Sequence, residues 1–253
     1  MTLARMNFKD YFSNHSSSYA QFRPRYPRVL FVWLAELAPA RGRVWDCATG
    51  NGQTACALAE WFAEIIATDG SQMQLDQAAP HERVTYRRAV AEDSGIASES
   101  CDLVTVSQAL HWFDRDRFYA EARRVLRPGG VLAAWSYDLL NVTPEIDAAL
   151  QHFYQDIAGP YWAPERALVE ARYRTLEFPF AELAPPVFQM EARWSLFHLL
   201  GYLGTWSATQ NFIKANGYDP IPDVGAELLP LWGAAETERD ISWPLGMRAG
   251  RRA

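Results

Sequence analysis

Val44-Trp45-Asp46-Cys47-Ala48-Thr49-Gly50-Asn51-Gly52-Gln53-Thr54 is the stretch on which the fold turns. Val44 to Ala48 reads as a short buried strand interrupted by one acid. Thr54 to Phe62 reads as a helix with Leu58, Trp61 and Phe62 on its apolar side. The glycines between them let the backbone turn tightly and approach a ligand, while the helix N-terminus offers unpaired N–H groups.

The pattern repeats outward from this unit. Glu64 to Asp69 is a second buried strand, followed by a helix from about Ser71; Val84 to Val90 is a third strand and Asp102 to Ser107 a fourth. Between Phe113 and Leu126 a helix aligns Phe118, Ala122, Val125 and Leu126. Arg127-Pro128-Gly129-Gly130 then stops it and leads into a fifth strand, Val131 to Tyr137. Upstream, Pro27 opens a helix with Leu30, Trp33, Leu34 and Leu37 on one face. Strands alternating with helices predict a parallel sheet with crossover helices. Past Tyr137 the pattern loosens into helices broken at Pro144, Pro160 and Pro164. Strands are expected at Val187 to Trp194 and Asp240 to Trp243, with one long helix from Leu196 to Asn216. The expectation is a single α/β domain, a Rossmann-like, doubly wound, mostly parallel seven-stranded sheet. An N-terminal helical cap (1–37) precedes a cofactor-binding core (38–137), a helical lid insertion (138–183) and C-terminal strands and helix that complete the sheet (184–253).

Composition narrows the function. A formal net charge of −6 argues against a nucleic-acid surface, which needs clustered Lys and Arg. The local clusters at Arg123 to Arg127 and Arg248 to Arg252 read as a solvated helix face and a solvated tail. Cys47, Cys56 and Cys101 form no C-x-x-C pair and sit at no zinc spacing, so they are expected as small core residues and no metal is expected. No apolar run reaches the roughly 18 residues of a spanning helix, and Met1 to Asp10 has no secretory apolar stretch. The expectation is a cytoplasmic protein, monomer or homodimer, with no membrane partner.

The glycine turn alone is ambiguous. Gly50, Gly52 and Ala55 also satisfy the dinucleotide fingerprint G-x-G-x-x-G/A, with Asp69 where a ribose-binding acid belongs. Asp46 separates the readings, because a carboxylate there would repel a pyrophosphate. It would suit S-adenosylmethionine, which carries an ammonium and a sulfonium; such an attraction is worth roughly 4 kcal/mol at 4 Å and an effective dielectric near 20. A local role, bonding the turn itself, is compatible with this.

At this point the chain resembles a family. The order D-x-A-x-G-x-G, an acid ending the second strand, and a helix closing with RVLRPGG resemble class I S-adenosylmethionine-dependent methyltransferases. More narrowly they resemble the type-11 group and a subgroup similar to trans-aconitate methyltransferases. The narrower resemblance rests on YAQFRPRYP (Tyr19 to Pro27), QALHWFD (Gln108 to Asp114), RVLRPGGVLAAWSY (Arg124 to Tyr137) and GYLGTWSA (Gly201 to Ala208). It implies S-adenosylmethionine as cofactor and S-adenosylhomocysteine as product. Gly50 and Gly52 would lie under the methionine part with Asp46 behind them. Asp69 would take the ribose hydroxyls, Met73 would pack on the adenine, Glu92 would reach its amino group and Ala91 would offer backbone. Ser107 and Gln108 would approach the sulfonium, while Tyr19 and Arg23 would close over the cofactor. The family usually has Gly where this chain has Ala48; a methyl group fits there if the position does not need φ > 0, with slightly altered cofactor contacts.

Methyl transfer from a sulfonium is an in-line displacement governed by positioning. An ionised carboxylate needs no base, whereas a hydroxyl or phenol does. His111 is the candidate for contacting the acceptor, with a backbone-bonded loop histidine as the alternative. Asp114 reads as a helix cap. Trp135, Tyr137, Tyr161, Trp162 and Trp206 are expected to wall an acceptor pocket, although Trp206 could instead hold the lid to the core. The expected reaction is methylation of a small molecule, with the carboxylate of an organic acid suggested by the resemblance. Methylation of a hydroxyl or phenol is the alternative. A nicotinamide-dependent oxidoreductase and a non-catalytic binding module stay open behind it.

Overall fold

The structure, a computed structural model, describes residues 22–253. Helix α1 (Arg28–Leu37) follows Pro27 and buries Leu30, Phe31, Leu34 and Ala35. Then come β1 (Arg43–Cys47), α2 (Gln53–Leu58), β2 (Glu64–Asp69), the short α3 (Gln72–Leu75), β3 (Val84–Arg88) and β4 (Cys101–Ser107). Helix α4 (Arg115–Val125) starts at Asp114, whose side chain accepts from the Arg117 amide as the N-cap expected. Strand β5 (Leu126–Tyr137) follows directly, so the Arg-Pro-Gly-Gly turn lies within the strand's first residues rather than before it.

The sheet runs β3-β2-β1-β4-β5 and continues with two strands from the C-terminal half, β8 (Arg239–Arg251) and then β6 (Ala181–Leu183). Strands β1 to β5 pair in parallel, and β8 runs antiparallel beside β5. Chain order reverses between β1 and β4, which makes their carboxyl ends the switch point where doubly wound sheets bind ligands. Alternation along the strands divides the core between the two faces. Val44, Ile65, Leu103, Val131 and Trp135 pack on one face; Trp45, Ile66, Val104, Leu132 and Ala134 pack on the other.

The second half departs from expectation in specific ways. The sheet has eight strands among the described residues, not seven: the added one is the short β6, at the end of the segment expected to be helical, while the expected β7 (Gln189–Trp194) pairs with the first half of β8 alone. The second half of β8 pairs with β5 and, at its end, with β6. The 138–183 segment comprises α5 (Pro144–His152), a wide π-helical turn at Phe153–Ile157, a tight 3-10 turn at Gly159–Tyr161, and α6 (Arg166–Glu170) before β6. The single long helix breaks at Thr205 and Trp206 into α7 (Leu196–Gly204) and α8 (Ser207–Asn216), and α9 (Ile221–Trp232) follows.

Neither basic cluster is a free patch. Arg124 chelates Glu121 and bonds the Ile96 carbonyl, and Arg127 pairs with the buried Asp102 at 3.0 Å. Arg248 to Arg251 belong to β8, not to a tail. Arg248 donates to the Tyr173 and Leu176 carbonyls, and Arg252, just beyond the strand, pairs with Glu99 at 2.7 Å. The cysteines are free thiols, Cys47 and Cys101 buried and Cys56 half-buried. Among the described residues no helix is long and apolar enough to cross a membrane, and no cluster of residues suits a metal ion.

Candidate active site

The loop after β1 is built around a buried acid. Asp46 is fully buried and accepts hydrogen bonds from the hydroxyls of Thr49 (2.5 Å) and Thr105 (2.7 Å), joining β1, its loop and β4. Burial is the main influence on its carboxyl and pushes it up to about 6, against the pull of the two threonines. Ala48, Gly50 and Gly52 have φ of 53°, 58° and 82°. The position of Ala48 is therefore left-handed, and its methyl group is tolerated in a conformation that favours glycine. Gly52 has no such latitude, since a Cβ there would lie 2.2 Å from the Tyr86 hydroxyl oxygen. The Gly50 amide donates to Asp69 at 2.9 Å, and the same carboxylate accepts from the Ser71 amide at 2.8 Å. One acid at the end of β2 thus ties down both loops at the switch point.

These loops line a cavity of about 500 Å³ at the carboxyl ends of the strands. Of the predicted cofactor residues, Arg23, Ala48, Gly50, Asp69, Ala91, Glu92, Ser107 and Gln108 all line it. Gln108 has a left-handed backbone (φ 53°); its side-chain amide donates to the Tyr137 carbonyl at 2.9 Å. Its buried Oε1 has no hydrogen-bond partner among the described residues. Glu92 accepts from the Asp114 amide at 2.9 Å, and Ser107 accepts from the Thr54 hydroxyl at 3.2 Å. Asp46 and Gly52 lie outside the lining and act on the loop from behind. Met73 is not brought in: its side chain is 47% exposed on α3, and the neighbouring Ser71 and Gln74 line the cavity instead. Tyr19 lies outside the described residues.

A second cavity of about 90 Å³ adjoins the first, and Arg23, Gln108, Trp112 and Tyr137 line both. Its remaining wall comes from His111, Asp138, Trp162, Arg166, Tyr202 and Trp206, among others. Arg23 donates to the Tyr137 hydroxyl (3.1 Å) and the Thr205 carbonyl (3.3 Å), with its guanidinium 5.3 Å from the centre of the Tyr202 ring. His111 is buried, with Nδ1 2.8 Å from the Tyr173 hydroxyl. Burial, reinforced by the charge of Arg166, lowers its pKa to about 3, so it stays neutral at physiological pH.

The aromatic residues expected around the acceptor divide. Tyr137, Trp162 and Trp206 line the second cavity. Trp135 does not: it is fully buried in the sheet core and meets Tyr26 edge-on. Tyr161 lies elsewhere too, packed on Phe212 and accepting from Asn216 at 2.8 Å. Two residues carry no signal in the sequence: Arg166, which lines the second cavity, and Tyr173, which lines neither cavity but bonds His111 from behind. Both sit in the proline-broken segment, where an isolated Arg or Tyr gives no periodic signal, and it is the chain's return toward the end of β5 that brings them to the site.

Comparison with known proteins identifies the family. A model of the methyltransferase domain (Methyltransf_11) matches residues 45–134, which run from β1 to β5. A candidate methyltransferase of Dictyostelium discoideum is 33% identical over 247 residues, covering 95% of this chain and 94% of that protein. The methyltransferase cfoB of Aspergillus candidus is 24% identical over 92% of this chain and 82% of its own length. A solved structure described as a candidate type II methyltransferase from Anaeromyxobacter dehalogenans is 48% identical, covers 91% of this chain and 98% of its own, and superposes with a TM-score of 0.86. The nicotinamide and non-catalytic alternatives are left without support. With its glycine turn, its switch-point cavity and relatives that span nearly its whole length, the chain belongs to the class I S-adenosylmethionine-dependent methyltransferases.

Proposed function

We propose that this chain methylates the carboxylate of a small organic acid. The residues of the larger cavity fit the cofactor of the family. Asp69 offers a carboxylate where ribose hydroxyls would bond, and the unpartnered Gln108 Oε1 is an acceptor suited to the N–H of a cationic amine. Arg23, which lines both cavities, would meet the cofactor's own carboxylate. Asp46, held behind the loop, would favour the cofactor's positive charge. When bound, S-adenosylmethionine supplies a methyl group on a sulfonium, whose leaving thioether needs no proton.

The observation that carries the choice of acceptor is His111. A histidine whose pKa is lowered from 6.5 to about 3 is weaker as a proton acceptor by about 5 kcal/mol. It can hydrogen-bond an acceptor, but it is poorly suited to remove a proton from a phenol or alcohol. A carboxylate arrives ionised and asks for no such step. The wall of the second cavity also carries the guanidinium of Arg166, which Asp138 pairs on one side only. The resemblance of the chain's motifs to those of trans-aconitate methyltransferases puts organic acids first among the acceptors to test. We read residues 138–183, which carry Trp162 and Arg166, as the segment that covers the acceptor.

The test is release of S-adenosylhomocysteine by the purified protein, screened across small carboxylic acids, phenols and amines. Turnover with acids ahead of the other two classes is expected. Turnover confined to phenols or amines would overturn the proposal.

A further inference from the structure

The second cavity holds a group that the family motifs do not touch. Arg166, on α6, is fixed along two of its edges. Its Nε donates to the Tyr154 hydroxyl at 2.7 Å, that hydroxyl donates to Glu170 at 2.5 Å, and Nη2 pairs with Asp138 just past the end of β5. The guanidinium carbon lies 4.6 Å from the centre of the Trp162 ring. Its side chain is 18% exposed, so these contacts hold it nearly out of water.

Two donors remain in this corner. Arg166 has five N–H groups, and its third nitrogen, Nη1, makes no hydrogen bond to any described residue. The indole N–H of Trp162 is buried with no partner among the described residues. A buried donor left unbonded, as the Trp162 indole is, is costly, and beside it Nη1 of Arg166 keeps a charged donor with no protein partner among the described residues; together they suit an acceptor that carries negative charge. Asp138 balances the guanidinium on the protein side; nothing among the described residues balances it at Nη1. Neither Arg166 nor Trp162 lines the larger cavity.

We infer that Arg166 and Trp162 form an anion subsite that holds the acceptor's carboxylate, and that Arg166 sets the preference for an acid over its neutral analogue. This rests on the carboxylate reading given above. The stacked and doubly tethered guanidinium is already ordered before the acceptor arrives, so little freedom is lost on binding. Lysine would not substitute, because a single ammonium cannot keep Asp138, Tyr154 and a ligand bonded in one plane.

The experiment uses crotonate and its neutral isostere crotonamide as probes. Their affinities are measured by titration of the protein saturated with S-adenosylhomocysteine, for the wild type and for Arg166→Gln and Trp162→Phe. The wild type is expected to bind crotonate about tenfold or more tighter than crotonamide, the scale of one charged hydrogen bond. In Arg166→Gln the preference should fall below about twofold, and in Trp162→Phe it should drop several-fold, with affinity for S-adenosylhomocysteine unchanged in both. If Arg166→Gln fails to bind S-adenosylhomocysteine and so is misfolded, Trp162→Phe decides alone. An intact preference in a folded Arg166→Gln, or in Trp162→Phe in that case, overturns the subsite while leaving the carboxylate reading in place. A wild type with no preference, together with no acid methylated in the acceptor screen, overturns both.

Discussion

Replacing Asp46 by Asn removes a buried charge while keeping a side chain that can still bond Thr49 and Thr105. In the folded chain burial raises the Asp46 carboxyl from 3.8 to about 6. Because the folded value lies above the unfolded one, the folded state binds the proton more tightly. The stability this contributes is complete below about pH 4 and is lost as pH rises towards and past 6. The span from 3.8 to about 6 corresponds to about 3 kcal/mol, and the group is fully buried, so solvent does not screen it. Asn carries no charge at either end of the range. Urea unfolding of both proteins without cofactor, at pH values from 4 to 7.5, gives the difference in stability between them. That difference cancels other groups, such as Glu121, which Arg124 and Ser94 hold below the ordinary carboxylate value despite its burial. Between pH 4 and 7.5 it should move by about 2.4 kcal/mol in favour of Asp46→Asn, most of the full span, since the unfolded carboxyl is already more than half ionised at pH 4. A difference that stays constant with pH would refute the picture of a charge confined in a dry site.

Three further outcomes follow from the loop and its neighbours. Ala48→Gly relieves a left-handed alanine, so urea unfolding should show a gain of about 0.5–1 kcal/mol after allowing for the freer unfolded chain; no gain would mean that the position is not strained. Asp69→Ala should weaken S-adenosylmethionine binding by roughly 1–3 kcal/mol in calorimetric titration. An unchanged dissociation constant in a folded variant would remove Asp69 from the site. His111→Gln should keep most of the activity towards an acid, because no proton is removed there. A pH-dependent loss of about 10²- to 10⁴-fold on the best substrate would instead make His111 a base and the acceptor a hydroxyl.

The half of the chain that reads clearly is the half where local chemistry and global position coincide. Gly50 and Gly52 mark the turn because left-handed backbone is their ordinary use, and Asp69 ends a buried strand at the distance a ribose acid needs. Trp135 shows where this stops. Val131 to Tyr137 are all buried, so two-residue alternation cannot tell which side chains face the cavity, and Trp135 went to the core while Tyr137 reached the site. Met73 illustrates the same limit on a helix of one turn, where a shift of one residue turns a side chain from ligand to solvent.

The sequence marks only Asp240 to Trp243 of strand β8, because its two halves serve different partners and its arginines look solvated. The charge of Arg248 is taken up by carbonyls of the 173–176 turn and by Glu182, and that of Arg252, just past the strand, by Glu99. Helix α9 carries Pro230 inside it and so lacks the usual signature. Arg166 depends on contacts with Asp138 and Tyr154, which are 28 and 12 residues away, and no spacing rule connects them.

Transfer of a methyl group to a carboxylate leaves a methyl ester, whose chemistry distinguishes it from every other product. The protein is incubated with methyl-tritiated S-adenosylmethionine and a panel of organic acids and phenols, and the labelled product is treated with mild alkali. A methyl ester releases its label as volatile methanol, and that release, from an acid, is the result expected. Label that resists alkali, as in a methyl ether or methylamine, would contradict it.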